Sequence, residues 1–484
     1  MSCDVGRVGC VTVTRLRMDE LVNAWVSDQN TPFQIALLGV FDAEPFLRPD
    51  GTVDVPRIRG ELATRARRVP PLGQRLVWTH LGEGRPVWAA DPAFDPAAHV
   101  ESASLPPGAD LTSWAANRIV RPLDMDRPLW RVEVVDGLPE GRFAVIIVVH
   151  HVVADGMTGV AMVGSLLDPG PHDTSAVSPA PAVPPLPSHR ELVRQRCREI
   201  TAALRHIRMP RPRSLGRLRG GLAQFRDVMT DLRTLAPKTS LPRRVGPDRR
   251  LAIVRYPLDD LRRTGHRLGV TMNDLLLSAV TGGLRELLTA RGEDVTGLVL
   301  RTTVPANAGG PGQVAGMLVI GLPVGEPDPL RRLALIHRRT TTRKTRLRAG
   351  RGDVSGLLHL AVPVARPLVR WLRRFGGTRV NLFVTDVPGP PAPLWLAGAR
   401  LVEAVPVAPL VPHVPIGVAA LSYAGQLAVS VNADAAVADV GVMARGMERS
   451  FADLRDPTHD GGRLPHIPAP RRPRARSGLG VRPS

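Results

Sequence analysis

Apolar positions along the chain recur with two periods, and the alternation between them lays out the elements. Residues 18–26 and 55–68 repeat apolar side chains at helical spacing, whereas IALLGVFD (35–42), WRVEVVDGL (130–138) and FAVIIVVHH (143–151) are strand-like runs. The last two are joined by a Pro-Glu-Gly turn and predict an antiparallel pair. The stretch 143–149 has no polar residue and is rich in Val and Ile, which predicts a central strand covered on both faces. A short helix is expected over 156–167.

A low-complexity break, DPGPHDTSAVSPAPAVPPLP (168–187), then interrupts the pattern and predicts a linker. Beyond it, 189–209 has helical periodicity with a charged face, and the Gly/Arg-rich stretch up to Gly246 shows no legible element. A second region of the same character follows, with a strand over 250–258 and a helix over 261–268. Another helix, capped by Thr271 or Asn273, runs to about Ala290. Strand runs are expected at 298–306, 316–324, 379–387, 399–410 and 425–434, and a helix with proline in its first turn over 329–346. These elements predict an α/β protein of two domains, 1–167 and 247–456. A linker (168–188) and a basic helical or irregular connection (189–246) separate them, and a Pro/Arg-rich, disordered tail (457–484) follows. The length of 484 residues suits two cores better than one.

Charge narrows the partners. The chain carries a formal net charge of +20, concentrated in Arg-rich segments such as 205–220 and 470–478. Nucleic-acid readers combine such charge with a recognisable module or stacking aromatics, and only 4% of this chain is Phe, Trp or Tyr. A nucleic-acid partner is therefore not expected. An anionic membrane face or a phosphate-bearing small molecule is the better match. The segment 359–377, HLAVPVARPLVRWLRRFGG, mixes Leu, Val, Trp and Phe with four arginines and reads as an interfacial amphipathic helix or a plain core helix. Three widely spaced cysteines offer no disulfide framework or zinc spacing. No signal peptide and no apolar run of membrane-spanning length is expected, so the chain is read as cytoplasmic, with peripheral membrane or lipid-droplet association open.

The candidate chemistry lies at the end of the apolar strand, where HHVVADG places His150 and His151 side by side and Asp155 and Gly156 just beyond. Side chains alternate along a strand, so the two imidazoles point to opposite faces. One can face a cleft while the other packs against the scaffold. An imidazole titrating near neutrality can take a proton from a hydroxyl and return it to a leaving group. Asp155 can fix the turn and Gly156 supplies backbone freedom. A structural, hydrogen-bonded histidine is the plain alternative; a metal site is not expected, because adjacent strand positions diverge.

HHxxxDG after a buried strand resembles the active-site motif of the acyltransferase superfamily that includes chloramphenicol acetyltransferase and condensation domains. Further blocks resemble the bacterial wax ester synthase/diacylglycerol acyltransferases: PLDMDRPLW (122–130) with Asp124 and Arg127, WAADPAFD with His99, Asn273-Asp274 opening an apolar helix, VPGP with Pro388 and Gly389, and LSYAGQLAVSVNAD (421–434). The resemblance implies two chloramphenicol-acetyltransferase-like domains, each a mixed sheet flanked by helices, with an active-site tunnel between them. It implies transfer of an acyl group from acyl-CoA, a co-substrate, to diacylglycerol or a long-chain alcohol, with no cofactor or metal. His151 is implied as the base, and His150, Asp155, Gly156 and Asn273 as supporting groups. Asp124, Arg127, Asp274, Pro388 and Gly389 are implied as structural, with a local Asp124–Arg127 ion pair one expectation. The chain departs from the family pattern at four places: Phe33-Gln34 stands for Met-His, Pro305-Ala306-Asn307-Ala308 for PVSxR, Thr385-Asp386 for Ser-Asn, and Gly312-Gln313 for Gly-Asn. The rival readings are a condensation-type enzyme using a carrier-protein thioester and a non-catalytic acyl-CoA- or lipid-binding paralogue.

Overall fold

In the computed structural model, residues 14–80, 82–172, 186–206, 230, 233–242, 244–307, 314–349 and 379–456 are described. Two six-stranded mixed sheets organise them. In the first half, helices α1 (Met18–Val26), α2 (Val55–Ala66), α3 (Leu111–Ile119) and α4 (Gly156–Gly164) accompany six strands. These are β1 (Gln34–Asp42), β2 (Gln74–Val77), β3 (Val87–Ala90), β4 (Val100–Ser104), β5 (Trp130–Leu138) and β6 (Arg142–His150). The second half contributes α5 (His189–His206), β7 (Arg249–Pro257), α6 (Leu258–Leu268), α7 (Met272–Ala290), β8 (Leu300–Asn307), β9 (Val314–Leu322) and α8 (Pro329–Ala349). It ends with β10 (Leu382–Pro388), β11 (Trp395–Leu396), β12 (Ala399–Val407), β13 (Ile416–Tyr423), β14 (Gln426–Asp434) and α9 (Val440–Arg455).

The first sheet has the order β11-β12-β1-β6-β5-β4 and the second β7-β14-β13-β10-β8-β9. β6 is buried along almost its whole length, as its unbroken Val/Ile run requires. The odd-numbered residues Phe143, Val145, Ile147 and Val149 join the core with α2 and α4. The even-numbered Ala144, Ile146 and Val148 face α3 and, through Leu251, Ile253 and Ala428, the second sheet. The two halves therefore share a core. In the second half, α7 and α9 cross so closely that a Cβ on Gly283 or Gly446 would collide with the facing helix, which is why small residues occupy the crossing.

Several sequence expectations need correction. β12, expected in a self-contained second domain, crosses over and pairs antiparallel with β1, from Ala36 opposite Val407 to Phe41 opposite Leu401. Asp168, read as the first linker residue, is instead buried. It exchanges backbone hydrogen bonds with Trp395 at 2.7 and 2.9 Å, accepts from Ala397 N at 3.0 Å, and pairs with Arg65 at 2.6 Å. Helix α5 is docked on the first half: Arg15 donates to Leu192 O and pairs with Glu199 at 2.8 Å, and His189 contacts Glu83. Strands β2, β3, β4, β11 and β13 and helices α3 and α9 are additional to those expected, and α6 starts at Leu258 rather than 261. The amphipathic segment 359–377, residues 308–313 and the tail beyond 456 lie outside the described residues. Among the described residues no helix is long and apolar enough to cross a membrane.

The Asp168 clamp is a buried pair, so removing one partner strands the other. Asp168→Ala should lower unfolding free energy by about 3 kcal/mol in urea denaturation, whereas Asp50→Ala on the exposed loop should be close to neutral.

Candidate active site

The site is assembled where β6 runs out. His150 is its last residue, sits opposite Gln34 of β1, and is only 2% exposed. It lies on the even-numbered face, toward α3. Its Nδ1 accepts from Val152 N at 3.2 Å, so in the neutral ring the proton is on Nε2, which is buried without a partner. Gln34 shares this environment: its amide nitrogen donates to the Ile119 and Arg121 carbonyls at 2.5 and 2.9 Å, and its Oε1 is also unpartnered. Burial, with His151 nearby, lowers the His150 pKa to about 4. This imidazole is a neutral scaffold group.

His151 turns the other way and is partly exposed. Its backbone N–H donates to Phe33 O at 2.9 Å, and the Phe33 ring stacks on the imidazole at 4.9 Å with 21° between planes. The side-chain amide of Asn23, on α1, lies 3.3 Å from Nδ1. Burial lowers the His151 pKa, opposed by a hydrogen bond to its own backbone carbonyl and by the charge of Asp155. At neutral pH the ring is uncharged and able to accept a proton.

Asp155 does not touch the imidazole in any hydrogen bond. Its carboxylate caps α4, accepting from Thr158 N at 2.8 Å, and so fixes the helix that starts directly after the histidines. Gly156 opens that helix, and a Cβ there would come within 2.8 Å of Val387 Cγ2 on β10. The glycine thus lets the second sheet approach the histidine turn. Gly389 is needed for a similar reason: a Cβ would run into the Ser422 carbonyl of the neighbouring β13. Pro388 ends β10 beside it.

Thr271, not Asn273, caps α7, in a reciprocal box with Asp274. Asp274 is buried at 1% exposure and accepts from Thr340 Oγ1 at 2.7 Å and Thr271 Oγ1 at 2.8 Å. It also pairs with His337 Nδ1 at 2.9 Å. Burial would raise its pKa, but these bonds together hold it below the ordinary value. Asp274 is therefore a clamp between α7 and α8, while Asn273 is partly exposed at the mouth of α7. Asp124 and Arg127 make no ion pair: both are exposed, and the turn is held by Arg127 N to Asp124 O at 3.3 Å and Asp126 N to Asp124 Oδ1 at 3.0 Å. Two solvated charges gain little from pairing. His99 is buried against Trp130, stacked at 4.6 Å.

Asp386, on β10 next to Val387, is a carboxyl whose pKa burial alone pushes up to about 6. Sequence reasoning flagged it as a departure and missed Asn23 and the stacking role of Phe33. A single Asn on an amphipathic helix carries no signal of its own. Phe33-Gln34 did carry one, as a departure from the Met-His pair that the resemblance implies.

Comparison with known proteins gives the family. The description "Wax ester synthase/diacylglycerol acyltransferase catalytic domain" matches residues 19–276, and "WS/DGAT C-terminal domain" matches 312–455. The chain is 31% identical over 412 residues to the Mycobacterium tuberculosis (strain ATCC 25618 / H37Rv) protein named "Probable diacyglycerol O-acyltransferase tgs1", covering 81% of this chain and 86% of that one. Among solved structures it is similar to the wax ester synthase/diacylglycerol acyltransferase from Marinobacter aquaeolei VT8, with a TM-score of 0.66 and 21% identity over 91% of this chain and 98% of that one. It is also similar in fold to the first condensation domain of the CDA synthetase, with a TM-score of 0.56 and 17% identity over 93% and 98% of the two chains.

Because the folded His150 binds its proton more weakly than the ordinary value of 6.5, acid favours the unfolded chain. Its contribution is intact above about pH 6.5 and is lost as pH falls toward about 4. Relative to wild type, His150→Gln should gain on the order of 3 kcal/mol between pH 7 and pH 4 in paired urea melts. An unchanged difference would show that His150 binds its proton as readily in the folded protein as in the unfolded chain.

Proposed function

Because this chain belongs to the wax ester synthase/diacylglycerol acyltransferase family, we propose that it transfers a long-chain acyl group from acyl-CoA to the hydroxyl of diacylglycerol or a long-chain alcohol, with His151 as the general base. The observation that carries this reading is the neutral, partly exposed imidazole of His151 held at the start of a capped helix, against which the second sheet packs. His151 removes the hydroxyl proton as the oxygen attacks the thioester carbonyl. The tetrahedral oxyanion is met by donors from the first turn of α4 and from Asn273. Collapse breaks the C–S bond, and the imidazolium returns its proton to the departing thiolate. Each proton is accounted for by one imidazole, so no cofactor or metal is assigned a step.

The domain limits proposed from sequence are kept with three changes: Asp168 belongs to the first half, α5 docks on it, and β11 and β12 belong to the first sheet. The net charge of +20 supports peripheral attachment to an anionic membrane or lipid-droplet surface, where both lipid substrates reside.

Purified protein offered radiolabelled palmitoyl-CoA with diolein and hexadecanol in parallel, with products separated by thin-layer chromatography, tests the assignment. His151→Ala should lower transfer by about 10²- to 10⁴-fold with folding preserved, and His150→Ala should cost less. Full turnover in His151→Ala would remove it as base. A requirement for a phosphopantetheinylated carrier protein would instead support the condensation-type reading, and palmitoyl-CoA binding without turnover the non-catalytic one. The protein should also sediment with anionic liposomes at low salt and be released at high salt; indifference to lipid charge would overturn the peripheral attachment.

A further inference from the structure

Nδ1 of His151 has two polar neighbours. One is the residue's own backbone carbonyl, whose hydrogen bond opposes the fall in the ring's pKa; within a single histidine Nε2 lies at the far end of the ring from the backbone, so Nδ1 is the nitrogen that bond uses. The other is the Asn23 side-chain amide at 3.3 Å. A carbonyl can only accept, so the first contact requires a proton on Nδ1. With the amide nitrogen of Asn23 toward the ring, that contact would require the opposite tautomer. The oxygen and nitrogen of an amide exchange places by a half-turn about its last torsion and are assigned by the surrounding hydrogen bonds. With Oδ1 turned toward the ring, one Nδ1–H serves both acceptors. With nitrogen toward the ring, the carbonyl loses its donor and the ring's only proton sits on Nε2, where no lone pair is left to receive another.

We infer that Asn23 is a positioning residue, presenting Oδ1 to Nδ1–H of His151 and so holding the imidazole in the tautomer whose Nε2 lone pair is free to take the acceptor's proton. This rests on the reading of His151 as the base.

The surroundings are built to hold that contact. Leu21, two residues before Asn23 on α1, is 1% exposed and shares a small apolar cluster with Leu129 and Val152, the residue that follows His151. The same cluster therefore fixes helix and histidine together. The loop from α1 to β1 is tied by Asp28, which accepts from Asn30 N, Thr31 N and Thr31 Oγ1 at 2.8–3.0 Å, and by Ser27, which accepts from Phe33 N at 3.0 Å. That loop ends in the Phe33 ring stacked on the imidazole, which leaves rotation in the ring plane to be fixed by Nδ1. Of the charged groups near His151, Asp155 is committed to Thr158 N, and His150 is buried and neutral. No carboxylate competes for Nδ1 among the described residues.

Three variants of the full-length protein test the inference in the palmitoyl-CoA assay, alongside ring NMR of ¹⁵N-histidine-labelled protein, where His151→Ala identifies the resonance. Asn23→Leu keeps the side chain's size and removes the hydrogen bond; kcat should fall about tenfold to a hundredfold with KM changed little. Asn23→Asp places a carboxylate on Nδ1 and should retain activity, with the acid limb of the kcat/KM profile raised by about one pH unit or more. The wild-type ring should show the proton on Nδ1. A proton on Nε2, wild-type kcat in Asn23→Leu, or an unmoved acid limb in Asn23→Asp would each overturn the inference. The NMR result stands even if Asn23→Leu folds poorly or no turnover is found. Loss of activity in His151→Ala beside full activity in Asn23→Leu would sink the role of Asn23 alone; full activity in His151→Ala would sink the base itself.

Discussion

The pairing of β12 with β1 is the constraint on which the rest of the structure depends. Without it β1 would be an edge strand with one row of unpaired backbone groups, free to slip in register. With it β1 is central, flanked by β6 on one side and by a strand donated from the second half on the other. Since β1 begins at Gln34 and β6 ends at His150, the register of this one sheet sets which residues face the histidines. The crossover also brings Trp395 back to Asp168, and Asp168 to Arg65, so that the end of the first half is sewn to the returning strand. Arg249, at the start of β7 and 4% exposed, adds a second tie, donating to the Asn30 carbonyl in the loop that carries Phe33. Position at the histidine turn is therefore a property of both halves together.

Burial then sets the chemistry of that position. The apolar run 143–149 carries the two imidazoles that follow it into a poorly solvated place, and desolvation depresses both. The outcome differs because their partners differ. His150 accepts a backbone N–H and is left with a buried, unpartnered Nε2. His151 is partly exposed and is held by stacking, by its own carbonyl and by Asn23. Desolvation that would be a liability for a charged group is useful for a base that must start neutral. The same burial acts in the opposite sense on Asp386, whose charged form it disfavours.

Much of this was legible in the sequence where the signal is local. The unbroken Val/Ile run predicted a doubly covered β6, and the Thr/Asn-Asp start of α7 predicted a cap, although the choice between Thr271 and Asn273 needed the observed box with Asp274. What stayed hidden is non-local. Nothing in ARLVEAVPVAPL says that it pairs with a strand more than 350 residues earlier, because alternation fixes a strand's faces and not its neighbour. The composition of 168–187 reveals a break, yet the partner that buries Asp168 is Arg65, far upstream. β13 carries no distinct strand signal, because its apolar run lacks alternation and reads equally as a buried helix segment.

The departures from the family pattern gain meaning from where the fold puts them. Phe33 and Gln34 are not scattered changes: the first stacks on His151 and the second faces His150 across the β1–β6 ladder. Thr385 and Asp386 lie on β10, directly before the residue that meets Gly156. Phe33 and Gln34 thus flank the histidine pair, while Thr385 and Asp386 lie on the strand whose Val387 meets the turn. The residues that hold the frame, namely Asp155 as cap, Asp274 as clamp and the glycines at close approaches, keep the family's identity at each position compared above. A chain drifting without function would be expected to lose capping and close-packing residues as readily as those at the site. The other departures fall at the end of β8 (305–307) and on 308 and 312–313, the latter three outside the described residues; a kept cap and clamp beside changed neighbours of the histidines fits a working site better than decay.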